Sequence, residues 1–243
     1  MKNAILLTLL ALCTSSLKAQ ITDPKATEVW EPKPRAVQPG SANTAPSDAI
    51  VLFDGSNLDA WQKAGDGTAA GWKLTDKAME VVPGAGDIQT RQSFGDCQLH
   101  LEFKCPTKTV GDGQNKGNSG VFLQGLYEVQ VLDYFDNETY SNGQTASIYK
   151  QHIPLVNACL PPDTWQTYDI IYSAPVFNAD GVKVRSAYIT VLQNGVLVQN
   201  HVEIKGTTEY IGLPKNPAHG KGPLKLQDHG NTVQYRNIWI REL

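Results

Sequence analysis

The chain has 243 residues, with 21 Lys and Arg against 24 Asp and Glu, giving a formal net charge of -3 and a pI near 5.9. That balance excludes the basic patch that nucleic-acid binding requires. A hydrophobic content of 41% suffices for a sizeable core, and the length fits one large all-β domain or two small ones.

Met1-Lys2-Asn3 opens the sequence, residues 4–12 are almost wholly apolar, and Leu17-Lys18-Ala19 precedes Gln20. A basic start, an apolar middle too short to span a bilayer and a small residue at the cut predict a signal peptide over residues 1–19. Cleavage after Ala19 and a periplasmic or extracellular destination follow from it. Cys13 invites a lipoprotein reading, but Leu12 stands where that processing needs a small residue. No later stretch is apolar enough for a transmembrane helix. The remaining cysteines are Cys97, Cys105 and Cys159. Cys97 and Cys105 fall on one extended strand, too far apart to bridge, so Cys159 pairs with one of them or all three stay thiols. No pair has zinc-site spacing.

Residues 20–48 carry Pro24, Pro32, Pro34, Pro39 and Pro46 with little periodicity. They read as an extended N-terminal arm with Trp30 as an apolar anchor. From residue 49 to 243 short strand-like runs recur, each closed by turn residues. Ile50-Val51-Leu52-Phe53 stops at Asp54-Gly55, and residues 71–75 turn at Asp76-Lys77 into residues 78–82. Residues 97–104 alternate, with Leu99, Leu101 and Phe103 on one face. Residues 168–172 and 187–192 follow, and Asn194-Gly195 is a strong hairpin signal leading into residues 196–202. The chain closes on residues 233–243, where Tyr235, Asn237, Trp239 and Arg241 alternate with Arg236, Ile238, Ile240 and Glu242. Many short strands with Gly and Asn turns predict an all-β sandwich or jelly roll of two antiparallel sheets.

Residues 126–133 organise the chain. Read with period two, Glu128 and Gln130 share one strand face while Val129 and Val131 take the other. Regular alternation puts Asp133 on the Val face. A one-residue bulge near Val131-Leu132 would return it to Glu128 and Gln130, a known use of bulges beside active sites. The plain alternative is a half-exposed strand with ordinary polar residues outside.

Several motifs in order resemble the 3-keto-disaccharide hydrolase domain family. They are Asp48-Ala49-Ile50-Val51-Leu52-Phe53-Asp54-Gly55, Gly117-Asn118-Ser119-Gly120-Val121-Phe122-Leu123, Tyr127-Glu128-Val129-Gln130-Val131-Leu132-Asp133 and Leu226-Gln227-Asp228-His229-Gly230-Asn231. Residues 236–243 complete the match. The resemblance implies a concanavalin A-like sandwich, a carbohydrate partner, and hydrolysis of glycosides oxidised at C3. Glu128-x-Gln130-x-x-Asp133 is also similar in layout to the Glu-x-Asp-x-x-Glu strand of family-16 glucanases. Those retaining enzymes need two carboxyl groups roughly 5–5.5 Å apart, and Gln130 in the central position weakens that parallel.

A 3-keto sugar opens another route. The ketone acidifies the C2 hydrogen, so a base removes it, the aglycone leaves from C1, and water adds to the enone. Such chemistry wants a base, an acid and a donor for the enolate oxygen. Glu128, Asp133 and His229 are the candidates for base and acid, and Asn118, Gln130 and Lys150 for donors. Histidine is the side chain that can gain or lose a proton near neutral pH, and His229 sits in a Gly-flanked turn before the last strand. Asp228 either orients it or caps the turn, and Asn231 reads as turn structure. Tyr149, Gln227 and Arg236 join the binding set, with Arg236 equally suited to a structural ion pair. Trp61, Trp72, Trp165 and Trp239 suit core packing more than sugar stacking. Residues 112–117 form a polar loop placed to cover a cleft. His100, His152, His201 and His219 read as structural or surface groups. No cofactor is required; a structural calcium is compatible with such a sandwich, although no Asp-rich loop demands one. Three readings compete: an exported enzyme acting on 3-keto-glycosides, a silent carbohydrate-binding module, and a conventional retaining glycosidase.

Overall fold

Apolar alternation sets the strands of this protein, and left-handed turn residues end them. The structure, a computed structural model, describes residues 21–41, 44–107 and 111–243. The stretch over residues 1–19, expected from its sequence to be a signal peptide, lies outside the described residues. The described part falls into two units, one ending at Ala36 and the other spanning Val37–Leu243. In the first, Pro24–Thr27 makes a 3-10 turn capped by Asp23, and Trp30 donates its indole N–H to Glu28.

The second unit holds the strands. In chain order they are β1 Ile50–Phe53, β2 Trp61–Lys63, β3 Lys73–Thr75, β4 Ala78–Glu80, β5 Ile88–Phe94, β6 Cys97–Lys104, β7 Ser119–Leu123 and β8 Tyr127–Val131. Then come β9 Gln166–Ser173, β10 Val176–Phe177, β11 Lys183–Arg185, β12 Ala187–Gln193, β13 Val196–Ile204, β14 Gly222–Leu226 and β15 Gln234–Glu242. An eight-stranded sheet runs β13-β12-β9-β6-β15-β4-β3, with β1 also on β15; a five-stranded sheet runs β2-β5-β14-β7-β8. All pairings are antiparallel. Asn194 and Gly195, at φ 53° and 77°, make the two-residue turn between β12 and β13, as their sequence predicts.

The inner faces meet in one core. Leu99, Leu101 and Phe103 of the large sheet pack with Val121, Leu123, Val129, Val131, Leu224 and Leu226 of the small one. Three buried tyrosines of the large sheet tie the layers by donating across: Tyr168 to Gln130 O at 2.7 Å, Tyr172 to Gln124 Oε1 at 2.7 Å, and Tyr235 to Ser119 Oγ at 2.7 Å. Each phenol thus buries its ring while keeping its hydroxyl satisfied. Two packed antiparallel sheets give the concanavalin A-like sandwich. Cys97, Cys105 and Cys159 are all free thiols.

Strict alternation fails in β15. Its register with β6 shifts between Arg236 and Trp239, and Asn237 takes a left-handed φ of 47°. This bulge keeps Tyr235, Ile238 and Ile240 all in the core. It also puts Arg236 and Trp239 on the same outer face, which corrects the expectation that they lie on opposite faces.

Candidate active site

The outer face of the small sheet follows from what its inner face buries. On β7, Val121 and Leu123 enter the core, so Gly120 and Phe122 turn outward; on β8, Val129 and Val131 leave Glu128 and Gln130 outside. On β14, Leu224 and Leu226 do the same for Lys225 and for Gln227 just beyond the strand. Pairing then aligns two cross-strand rows. One is Lys225–Phe122–Glu128, and the other is Gln227–Gly120–Gln130.

Gly120 makes the trough between these rows. A Cβ there would lie 2.6 Å from Glu128 Oε1 and 2.7 Å from Phe122 Cε2, closer than real Cβ contacts come. The glycine is needed for space.

β8 is the last strand of its sheet, but its edge is covered. Gln130 N–H donates to Ser147 O at 3.0 Å, Ala146 N–H to Gln130 O at 3.0 Å, and Tyr149 N–H to Glu128 O at 3.2 Å. Glu128 N–H donates to Thr208 Oγ1 at 3.0 Å. These segments, with the 111–117 loop, wall a cleft of about 260 Å³ over the trough. Glu128, Gln130, Asn118, Tyr149, Gln227 and His229 line it, together with Gln114, Phe122, Thr208 and Tyr210.

Glu128 is 4% exposed, and its carboxylate accepts no hydrogen bond among the described residues. Burial pushes its pKa up to about 8; the charge of Lys225 opposes that rise and Asp87 adds to it. Lys225 itself lies 4.0 Å from the centre of the Phe122 ring and pairs with Asp87 at 3.1 Å. Gln130 donates to Gln114 Oε1 at 3.0 Å and to Gly143 O at 3.3 Å. The Tyr149 hydroxyl shares a 2.6 Å hydrogen bond with that of Tyr140, and burial raises its pKa well above the usual phenol value.

His229 is exposed at the mouth of the cleft, and its ring has no hydrogen-bond partner among the described residues. Asp228 does not orient it. Its Oδ2 accepts from Gly84 and Gly86 N–H at 2.8 and 2.9 Å, and its Oδ1 from Gly230 N–H at 3.0 Å. It is a loop tie. Asn231 accepts from Asn118 N–H at 3.2 Å and so joins the final turn to the wall of the cleft. Lys150, with a left-handed φ of 57°, is exposed at the rim: its ammonium donates to Tyr210 O at 2.5 Å and sits 4.3 Å from that ring's centre.

Two expected members lie elsewhere. The register of β7 with β8 runs unshifted from Ser119↔Val131 to Leu123↔Tyr127. No bulge intervenes within that ladder, and Asp133 stays on the Val face. There it lies beside Cys105 and Gly117, pairs with Lys116 at 3.5 Å, and does not line the cleft. Burial raises its pKa, and Lys116 pulls it back. Arg236 belongs to the other sheet, where it donates to Glu102 at 2.6 Å and stacks 4.1 Å over Trp165. The four tryptophans are structural here. Trp61 and Trp72 donate to Leu52 O and Gly86 O, Trp239 stacks on His100, and Trp165 lies under Lys104 and Arg236.

Gly120, Lys225, Thr208 and Tyr210 are the members that the sequence reading passed over. Gly120 stood inside a quoted motif, but its role depends on cross-strand register. Among the described residues, no three His, Cys, Asp or Glu side chains converge as a metal site. Glu128 is, among the described residues, the one carboxylate lining the cleft. A buried carboxylate, two hydroxyl-bearing side chains besides Tyr210 and an imidazole therefore line the cleft, while among the described residues the carboxyl pair of a double-displacement glycosidase does not.

Residues 48–241 match the 3-keto-alpha-glucoside-1,2-lyase-like domain family. A crystal structure of a "putative glycosyl hydrolase" from Parabacteroides distasonis ATCC 8503 is 52% identical, with a TM-score of 0.87, covering 91% of this chain and 97% of that one. A second structure from that organism, with the same name, is 20% identical with a TM-score of 0.58 over 81% of this chain and 94% of its own, a likeness of fold alone. No curated protein matches the chain.

Proposed function

The chain belongs to the 3-keto-alpha-glucoside-1,2-lyase-like family, and from that premise we propose that it cleaves 3-keto-glycosides by taking the proton at C2, with Glu128 as base. The observation that carries this reading is a single buried carboxylate, raised to about 8, at the floor of a polar cleft. A carboxylate of that pKa is a far stronger base than a solvated one and is matched to work near neutral pH.

The C2 proton passes to Glu128, and the C–H electron pair forms the enolate between C2 and C3. The enolate then collapses, expelling the oxygen on C1 and leaving an enone. His229, as imidazolium at the mouth, protonates the departing oxygen. Water added across C1 and C2 completes a net hydrolysis. The enolate oxygen needs a donor, and the Thr208 and Tyr149 hydroxyls line the same cleft. We further propose that the protein is exported, on the strength of its opening residues.

The test uses a 3-keto-glucoside labelled with deuterium at C2, beside the unoxidised parent. Turnover of the keto sugar only, with deuterium washed into solvent, is expected. Equal rates on both substrates, or product that keeps its C2 deuterium, would reject the mechanism.

A further inference from the structure

The polar groups of the cleft are unevenly matched, and the mismatch has a direction. Asn118 Nδ2 is committed to Gln114 O at 2.7 Å, and Gln130 Nε2 to Gln114 Oε1 and Gly143 O. These bonds fix both amides by their nitrogens. Asn118 Oδ1, Gln130 Oε1 and Gln227 Oε1 are buried and accept nothing from any described residue. Asn118 and Gln130 are 2% and 1% exposed, so these oxygens are built in. A buried acceptor without a donor is costly, and three of them around one trough call for a ligand that brings donors.

We propose that Asn118, Gln130 and Gln227 form an acceptor cradle for the free hydroxyls of one terminal keto-sugar ring, which makes the enzyme exo-acting. This rests on a 3-keto-glycoside being the ligand of the cleft. A ketone oxygen only accepts, so the cradle turns C3=O away and towards the hydroxyls of Thr208 and Tyr149. A ring that carries the next sugar on one of these hydroxyls leaves an acceptor of the cradle without its donor, so internal residues of a chain linked there are disfavoured. The volume agrees: about 260 Å³ is below the usual 300–1,000 Å³ of sites for drug-sized ligands and suits a single ring. Oxygen donors with one carboxylate also suit a hard cation. The Lys225 ammonium already supplies Glu128 with positive charge, which favours hydroxyls.

The experiment measures calorimetric affinity of EDTA-treated Glu128→Gln protein for methyl 3-keto-glucoside and its 4- and 6-deoxyfluoro derivatives. Fluorine fills the space of a hydroxyl but donates nothing. We expect at least one derivative to bind roughly tenfold weaker or worse. Gln130→Met or Gln227→Met should weaken the parent similarly, with no added loss for the derivative whose hydroxyl that side chain received. Equal affinities across the series overturn the cradle, as does binding that vanishes with EDTA and returns with Ca²⁺. Turnover of the parent keto-glucoside by the unsubstituted protein is measured alongside. Its absence, with the hydroxyl dependence intact, would remove the elimination mechanism and leave the cradle standing. Failure of every sugar to bind overturns the cradle.

Discussion

Glu128→Gln separates the electrostatics of the cleft from its shape, because the amide keeps the volume and loses the titration. A carboxyl with a pKa near 8 in the folded chain and 4.5 when unfolded holds its proton longer in the native state. Between those values the folded protein binds a proton that the unfolded chain has released. Stability therefore falls as pH rises across that window and is unaffected by this group outside it. Integrated from pH 5 to pH 8, the loss is about 3–4 kcal/mol at 1.36 kcal/mol per pKa unit. The variant escapes this loss. The gap in stability between Glu128→Gln and the parent should widen by that amount from pH 5 to pH 8, since all other titrations cancel. At roughly 2–4 °C per kcal/mol for a chain of this size, melting curves should separate by about 10 °C more at the higher pH. Turnover should be lost at both. A constant melting difference at the two pH values would show that Glu128 is not desolvated as described, and retained turnover would remove it as the base.

Other outcomes follow from the same geometry. In a His229→Ala background, which lacks the imidazolium acid, the residual kcat/KM for a 3-keto-glucoside should climb to a plateau above about pH 8 if Glu128 is the base; a fall through that pH would make it an acid instead. His229→Ala should cut turnover by roughly 10²–10⁴ with melting unchanged, because an exposed loop side chain buries little apolar area. His229→Asn should be as slow. Gly120→Ala forces a methyl group to within 2.6 Å of Glu128 Oε1, and should abolish turnover while costing about 1–3 kcal/mol by urea unfolding. Asp133→Asn should keep turnover within a few-fold of the parent, since Asp133 faces Lys116 rather than the cleft; a hundredfold loss would restore it to the site.

Period-two alternation was enough to place Leu99, Leu101 and Phe103 inside and Glu128 with Gln130 outside, because a strand buried on one face fixes its own register. Bulges are the weak point of that logic. One was inferred after Val131, where the β7–β8 ladder ends and Asp133 lies beside Gly117 rather than in the cleft, and one was missed at Asn237, where a left-handed residue resets the last strand. Nothing in the local pattern around either position distinguishes them, since a bulge is a property of a pair of strands. The same limit hid Lys225 and Thr208. Thr208 meets Glu128 across 80 residues of chain, and local periodicity carries no record of such closures. His229 was found through its motif; its unpartnered ring emerged only with the loop in place.

The segment over residues 146–149 does two things at once: it walls the cleft and takes up the free backbone groups of β8. Remodelling substrate choice by trimming it would therefore strip the N–H and C=O groups from the strand that carries Glu128. A bare strand edge recruits other strands, including those of a second copy. Selection for a roomier pocket would thus be coupled to self-association, and shortened variants should reveal themselves first by light scattering rather than by altered specificity. Variation that leaves this backbone intact is the open path, through side chains such as Tyr149 and Tyr210 at the mouth.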